Sequence, residues 1–538
     1  MTYQRTLASV VALTIWRSLG LVLSVAIAAL IAGLLGANGA TDAFLFARRV
    51  TSGLSAGLER SFQLLLVPRL VHTIRLHGQK LVQRSVRRQQ IRIATIAVLF
   101  TGILVAGAPL LVATAAPGMH PHDQQSAILY LRIMAAAIPL AAYTAMHGAV
   151  LNALRRFSLP AIARLMPRLG VVAVLALLVP PFGFTAISVA NVIGSVVMGI
   201  IVFASVSRII RATAPDLAEN TPSTESPTEA ETPSQFGVRR RLLPILIGQI
   251  HMTVAAWIDL AFASTVGPGV VSILEFGQRI TNLAPGVVSN SVSSVYYTEY
   301  ATALSDKQPR VFVRHIARAL RYTLFSAVPA GIALFLLADV LVAALLYRGS
   351  FSHQAAAQTA DIIRVLAPGL AVNAFLAVVA SALIADADMP QTRIIVIATT
   401  VSVSVRIFLD LMLVPVMGVV AVPIGSLVSM TILLVVVFAM ASARWGGIFE
   451  REDAKVIGII SLCGALAAAA GVSVKFMLPV DLTATFLGDV MVLGIVGSTI
   501  LSVYVGASYL FGLEESRWVQ ILFQRIFRLA HRLMIRSA

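Results

Sequence analysis

Residues 8–36 read ASVVALTIWRSLGLVLSVAIAALIAGLLG, a stretch in which Arg17 is the only charged side chain. A helix that crosses the bilayer core of about 30 Å needs roughly 20 apolar residues. The stretch lacks a small-residue cleavage signature, so it predicts a retained first transmembrane helix and not a removed signal peptide. The whole chain of 538 residues is 58% hydrophobic and 12% charged. Because soluble domains carry about 25% charged residues, this composition excludes an ordinary soluble protein.

Apolar runs of spanning length recur along the chain, and they predict an all-α polytopic membrane protein with about 14 transmembrane helices. The predicted organisation has five parts. Residues 1–211 form an N-terminal lobe of helices 1 to 6, and residues 242–444 form a C-terminal lobe of helices 7 to 12. Between them, residues 212–241 read as a disordered acidic linker, because this segment has too few apolar residues to fold. Residues 445–512 hold helices 13 and 14, and residues 513–538 form a basic amphipathic tail.

The net charge of +17 first suggests a nucleic-acid partner. Most Lys and Arg residues, however, fall in the even-numbered loops and in the two termini. The positive-inside rule therefore places both termini in the cytoplasm, and the cations act as orientation anchors with no nucleic-acid role. The tail carries Trp518 and Phe527 among arginines, which is typical of a helix that lies on anionic membrane lipids. A merely solvated tail is the alternative.

The two predicted lobes show signs of an internal duplication. The string FARRVT at 46–51 corresponds to FGQRIT at 276–281, and VIGSVVM from Val192 corresponds to PIGSLVSM from Pro423. Chance similarity between apolar helices explains any one match, but several matches in the same order make it a poor explanation for the set. The pattern predicts two lobes related by an axis along the membrane normal, with a cavity between them.

Charged side chains lie inside the predicted spans, where they are costly and usually functional. Helix 2 places Asp42, Arg49 and Arg60 on one face, and helix 8 carries Glu275 and Arg279. An excess of arginine in a central cavity predicts an anionic substrate, since guanidinium suits bidentate phosphate recognition. The alternative is a set of structural ion pairs, in which Arg48 pairs with Glu59 or Asp42, and Arg279 pairs with Glu275.

Other polar groups give weaker signals. His251 and Asp259 in helix 7 could form a proton or cation relay, although an intramembrane His is more often simply hydrogen-bonded. Arg406 and Asp410, four residues apart, predict a structural pair. The sequence has no nucleotide-binding or common hydrolytic motif, and the single Cys463 excludes a disulfide framework and a cysteine-based metal site. We therefore expect a transporter and not an enzyme, without a metal or cofactor.

Several strings resemble the lipid II flippase (MurJ/MviN) family of the multidrug/oligosaccharidyl-lipid/polysaccharide exporter superfamily. They are GANGATDAFLFARRV at 36–50, LNALRRFSLPA at 151–161, LEFGQRITNLAPGVV at 274–288 and ALIADADMPQTR at 382–393. The resemblance implies that Arg17, Asp42 and Arg279 are substrate-site residues, that Arg49 falls where the family tends to be basic and that Glu59 falls near a family acid. Two family arginines are absent, one replaced near Leu23 and one within residues 51–56.

The combined prediction is a flippase that moves an undecaprenyl-diphosphate-linked peptidoglycan precursor, lipid II, from the cytoplasmic to the periplasmic leaflet of a bacterial inner membrane by alternating access. The expected substrate-binding residues are Arg17, Asp42, Arg49, Arg60 and Arg279. The expected ion- or proton-coupling residues are Glu59, Asp259 and Glu275. Cell-wall synthesis proteins are further candidate partners. The alternatives are a flippase for an exopolysaccharide or O-antigen unit, a small-solute or drug antiporter, and a membrane scaffold that does not transport.

Overall fold

The computed structural model describes residues 2–153, 158–177, 179–212, 253–283, 296–297, 299–300, 302–386, 391–479 and 485–516. Within these ranges every assigned element is a helix, which confirms the all-α prediction. The predicted linker after residue 212, the tail after residue 516 and His251 lie outside the described residues. The side chains of Arg17 and Arg60 also lie outside them.

The helices of the first half follow one another with short connections. They are α1 Thr2–Leu35, α2 Gly39–Ala115, α3 Pro121–Ala135, α4 Ala137–Ala153, α5 Ser158–Ala163, α6 Met166–Leu177, α7 Val179–Ala212, α8 Thr253–Val266 and α9 Val270–Thr281.

The second half continues in the same way. Its helices are α10 Pro309–Leu336, α11 Ala338–Leu345, α12 His353–Leu366, α13 Gly369–Ala385, α14 Gln391–Met417, α15 Ala421–Trp445, α16 Arg451–Met477 and α17 Phe486–Leu510.

The described residues contain seven helices that are long and apolar enough to cross a membrane. An eighth is reached if α12 and α13, which meet at an angle of 44°, count as one broken span. The structure therefore confirms a multi-pass membrane protein but leaves the count of about 14 helices as a prediction. Part of the difference arises because the stretch Arg393–Trp445, which counts as one span, contains the two helices α14 and α15.

One helix is longer than the sequence suggested. The predicted second and third spans, residues 41–72 and 93–116, belong to the single helix α2 of 77 residues. The connecting residues 73–92 contain one glycine and no proline. Because Leu, Gln and Arg favour helix, nothing in this segment forces the helix to end.

The chain forms two compact units. Unit 1 comprises Met1–Glu275 and Arg348–Ala355, and unit 2 comprises Phe276–Tyr347 and Ala356–Ala538. In unit 2, α16 and α17 pack on α10 through a core that includes Phe325, Cys463 and Tyr504. The bounds of the five predicted parts and the internal duplication stay predictions.

Candidate functional site

The first feature of the candidate site is a buried carboxylate at the start of a helix. Asp42 in α2 is only 2% exposed. It accepts hydrogen bonds from the backbone N–H of Gly269 at 2.6 Å, from that of Ser272 at 2.7 Å, and from the Ser272 hydroxyl. The first turn of a helix has N–H groups without intrahelical partners and carries partial positive charge. Asp42 therefore caps α9.

Gly269 allows the start of α9 to lie close to the residues that precede α2. Its φ of +87° lies in the left-handed region, and a Cβ atom here would lie 2.7 Å from the carbonyl oxygen of Ala37. A larger residue would push the start of α9 away from the residues that precede α2. Gly269 and Ser272 are not among the site residues predicted from the sequence. The GPG string at residues 267–269 marks a break before a helix, but a partner 227 residues away leaves no local signal.

The second feature is an arginine held by two carboxylates. Arg49, about two turns after Asp42 on α2, forms an ion pair with Glu275 of α9 and contacts Asp259 of α8 at 3.8 Å. The exposed side-chain fractions are 21% for Arg49, 6% for Asp259 and 10% for Glu275. Charges with so little water access need such partners to be tolerated. We call Arg49, Asp259 and Glu275 the arginine cluster, and it joins three helices.

Further hydrogen bonds tie unit 1 together at the same end as Asp42. The backbone N–H of Gly118 donates to the Ser264 hydroxyl at 3.1 Å, and the N–H of Ser350 donates to the carbonyl oxygen of Gly33 at 2.8 Å. These residues lie in or beside four of the predicted odd-numbered loops, at residues 37–40, 117–125, 266–268 and 341–359. Their contacts agree with the placement of these four loops on one side of the membrane.

Glu59 lies apart from the arginine cluster. Ten residues separate it from Arg49, which corresponds to about 15 Å along an α-helix. It forms an ion pair with Arg164, at the break between α5 and α6, and both side chains are about one-third exposed. Arg164 is not among the site residues predicted from the sequence, although it lies at the start of the predicted span 160–180 and is therefore a further charge inside a span.

The structure thus brings together Asp42, Arg49, Asp259 and Glu275 of the predicted site residues. Arg279 lies one turn after Glu275 on α9 and is half-buried. The structure shows ion pairs of Arg49 with Glu275 and of Arg164 with Glu59. The predicted structural alternative, in which Arg48 pairs with Glu59 or Asp42 and Arg279 pairs with Glu275, stays a prediction. Substrate binding by these residues stays a prediction, and the geometry favours a positioning role for Asp42.

The predicted structural pair in unit 2 is confirmed. Nε of Arg406 lies 3.2 Å from Oδ2 of Asp410, and the guanidinium also donates to the carbonyl oxygen of Val422 at 3.2 Å. Among the described residues, no group of three or more His, Cys, Asp or Glu side chains is arranged to hold a metal ion.

Comparison with known proteins gives a consistent result. The family model for lipid II flippase MurJ matches residues 31–487. The lipid II flippase of Burkholderia cenocepacia is 24% identical over 362 residues, which cover 63% of this chain and 68% of the relative. A probable lipid II flippase of Rhizobium meliloti is 26% identical over 427 residues, covering 78% and 77%.

Solved structures show the same fold. A lipid II flippase in an inward closed conformation superposes with a TM-score of 0.72 at 17% identity, covering 92% of this chain and 98% of that one. An inward-facing multidrug resistance transporter of the MATE family superposes with a TM-score of 0.62 at 15% identity, covering 79% and 94%. At these identities the likeness concerns the fold alone.

Proposed function

Because the chain belongs to the lipid II flippase MurJ family, we propose that it moves undecaprenyl-diphosphate-linked lipid II from the cytoplasmic to the periplasmic leaflet of a bacterial inner membrane. It is a membrane transporter and not an enzyme. The cytoplasmic position of both termini is part of the proposal, supported by the distribution of Lys and Arg.

The proposed transport mechanism rests on the ion pairs of the arginine cluster. Arg49 is held by Glu275 and Asp259, each from a different helix. A diphosphate offers guanidinium the same kind of charge-assisted, bidentate hydrogen bonds as a carboxylate. In the proposed mechanism the diphosphate of lipid II replaces the carboxylates on Arg49, and Arg17 and Arg279 add to its binding. This exchange releases α2 from α8 and α9. Arg60, about 16 Å further along α2, would bind another part of the substrate.

Replacement of the carboxylates on Arg49 would also affect the end of α9 that Asp42 caps. Ser272, which binds Asp42, and Glu275, which binds Arg49, are three residues apart on the same helix. A movement of α9 that follows the loss of the Glu275 contact therefore also strains the Asp42 contact. Asp42 thus acts as a positioning residue in the proposal, because it holds α9 until the substrate is bound. Opening the end that Asp42 closes is the outward step of alternating access.

Two further roles belong to the proposal. Glu59, Asp259 and Glu275 are the carboxylates that would carry a coupling proton or ion, since ionisable groups in spans often do so. The basic tail would bind anionic lipids, and cell-wall synthesis proteins are candidate partners.

A reversible crosslink tests the alternating step. A Cβ built on Gly33 in α1 would lie 3.9 Å from Cβ of Arg348, which suits a disulfide. We expect Gly33→Cys with Arg348→Cys, in a Cys463→Ala background, to stop lipid II flipping when oxidised and to recover on reduction. Each single cysteine variant is the matched control, and the readout is the sidedness of lipid II in cells that depend on this protein.

The outcomes are distinct. Equal flipping by the oxidised and reduced double variants would contradict alternating access at this end. Unchanged lipid II sidedness after depletion of the protein, in cells without another lipid II flippase, would instead contradict the cargo and point to another polyprenyl-linked glycan.

A further inference from the structure

A polar cavity of about 1140 Å³ lies in unit 2 at the ends of three long helices. Its walls come from the start of α10, the start of α16 and the residues that follow α17. All three helices are candidate membrane spans. Their ends therefore mark the level at which the bilayer core gives way to headgroups, and none of the residues of the candidate transport site lines this cavity.

One wall of the cavity is a row of cations. Arg310, Arg314 and Arg318 recur every four residues on α10, so they share a face and lie about 6 Å apart along the axis. Lys455 of α16 adds a fourth cation, and all four are exposed. Within the described part of the chain, no ion pair involves the three arginines.

Most of the acidic residues that line the cavity form ion pairs or a helix cap within its walls. Arg321 forms ion pairs with Asp453 at 3.1 Å and with Glu515 at 3.1 Å, joining α10 to α16 and to the segment that follows α17. Glu450 and Asp453 form a capping box at the start of α16. Glu452 and Glu514 are the other carboxylates of the lining. Four exposed cations therefore face two exposed carboxylates, Glu452 and Glu514, that take no part in these ion pairs or in the capping box. The excess of positive charge beside α10 favours an anion.

The edge of the cavity is apolar. Phe449 and Phe511 line it and are 38% and 47% exposed, and the neighbouring Leu510 is 85% exposed. Exposed aromatic and aliphatic side chains at the end of a membrane span are typical of contact with lipid. A cationic wall with an apolar edge fits a phosphate that is attached to acyl chains better than it fits a free phosphate ion.

We infer that this cavity binds the headgroup of an anionic phospholipid, with its phosphate on Arg310, Arg314, Arg318 and Lys455 and its acyl chains along Phe511 and Leu510. Basic pockets between membrane helices bind lipid headgroups in this way. The site differs from the proposed transport site in position and ligand, and it would tie the protein to the lipid composition of its leaflet.

The test compares two triple variants of the full chain, purified in detergent and stripped of lipid. One variant replaces Arg310, Arg314 and Arg318 with Gln, which keeps helix propensity. The matched control replaces Arg208, Arg444 and Arg451 with Gln, because these exposed arginines do not line the cavity. Binding of labelled phosphatidylglycerol is measured against a phosphatidylcholine background, and thermal unfolding checks that each variant is folded.

We expect the cavity variant to lose affinity for phosphatidylglycerol by about a hundredfold, and the control to stay within about twofold of the parent chain. Equal losses in both variants would overturn the site, because non-specific attraction would explain the binding. Competition by inorganic phosphate as effective as that by phosphatidylglycerol would overturn the lipid assignment. If the Gln variant unfolds, the same measurement on Arg310→Ala and Arg318→Ala, each alone, decides the question: an unchanged affinity in both would overturn the proposal.

Discussion

Two arginines of this protein, one buried and one half-buried, are paired in opposite ways. Arg406 binds Asp410, four residues away on the same helix, and the two side chains are 4% and 0% exposed. Arg49 binds Glu275, 226 residues away, together with Asp259 on a third helix, and its side chain is 21% exposed. A pair within one helix moves with that helix. A cluster that joins three helices breaks when they separate, so it suits a transport step and the local pair suits stability.

The largest expected effect is on transport, at Arg49. We expect Arg49→Gln to lower lipid II flipping by about 10- to 100-fold, because a charge-assisted hydrogen bond to the diphosphate is lost. Arg49→Lys keeps the charge but loses the bidentate geometry, so it should be intermediate. Lipid II sidedness in cells that depend on the variant is the measurement.

The control for this prediction is the local pair. Arg406→Met combined with Asp410→Asn removes a buried arginine and a buried carboxylate without touching unit 1. Flipping should remain close to that of the parent chain. Equal losses of flipping in the Arg49 and Arg406 variants would contradict the functional distinction between the two arginines.

The second effect is on stability. Arg406→Ala leaves Asp410 buried without its guanidinium, so we expect the free energy of unfolding to fall by about 3 to 5 kcal/mol. The Arg406→Met, Asp410→Asn double variant should recover most of this loss, since neither charge remains. Denaturant unfolding in mixed micelles measures both values. A double variant as unstable as Arg406→Ala would show that the loss comes from packing and not from the uncompensated charge.

The same contrast explains what the sequence could predict. The spacing of Arg406 and Asp410 was sufficient, because residues four apart on a helix always share a face. The sequence also identified Asp42, Arg49, Asp259 and Glu275 as charges inside spans. It could not pair Arg49 with Glu275, or Asp42 with Ser272, because these contacts depend on how distant helices pack.

The all-α membrane fold followed from the apolar runs of spanning length, whereas the helix ends did not. Residues 73–92, predicted as a connection, lie within α2. Polar composition indicated exposure to water there, but a polar segment without proline can stay helical. Hydropathy therefore locates the spans and leaves the helical state of polar connections undecided.

The third prediction concerns the hydrogen bonds by which Asp42 caps α9. The proposed transport step uses this contact, and the contact also stabilises the fold. Removing one acceptor or donor of a buried hydrogen bond costs about 1 to 3 kcal/mol. We expect Asp42→Ala and Ser272→Ala each to lower the free energy of unfolding by an amount in this range, and the double variant to lose less than the sum. A double-mutant cycle on thermal unfolding measures this coupling, and strictly additive losses would contradict the contact.

The smallest effect is expected at an exposed pair in unit 2. Nζ of Lys475 lies 2.9 Å from both carboxylate oxygens of Asp339, but the two side chains are 31% and 47% exposed. Exposed pairs contribute about 0 to 1 kcal/mol, and Arg364 lies 3.8 Å from the same carboxylate. Lys475→Ala should therefore lower the free energy of unfolding by less than about 1 kcal/mol, and salt should reduce the difference further.

The exposed pair of Lys475 and Asp339 has distances as short as those of the buried pair of Arg406 and Asp410. A comparison of the two pairs therefore separates the effect of burial from that of geometry. If Lys475→Ala cost as much as Arg406→Ala in the same unfolding assay, burial would not be the property that makes Arg406 important. The distinction between Arg406 and Arg49 would then depend on the range of their contacts alone. A loss below about 1 kcal/mol leaves burial as the source of stability and the joining of separate helices as the source of function.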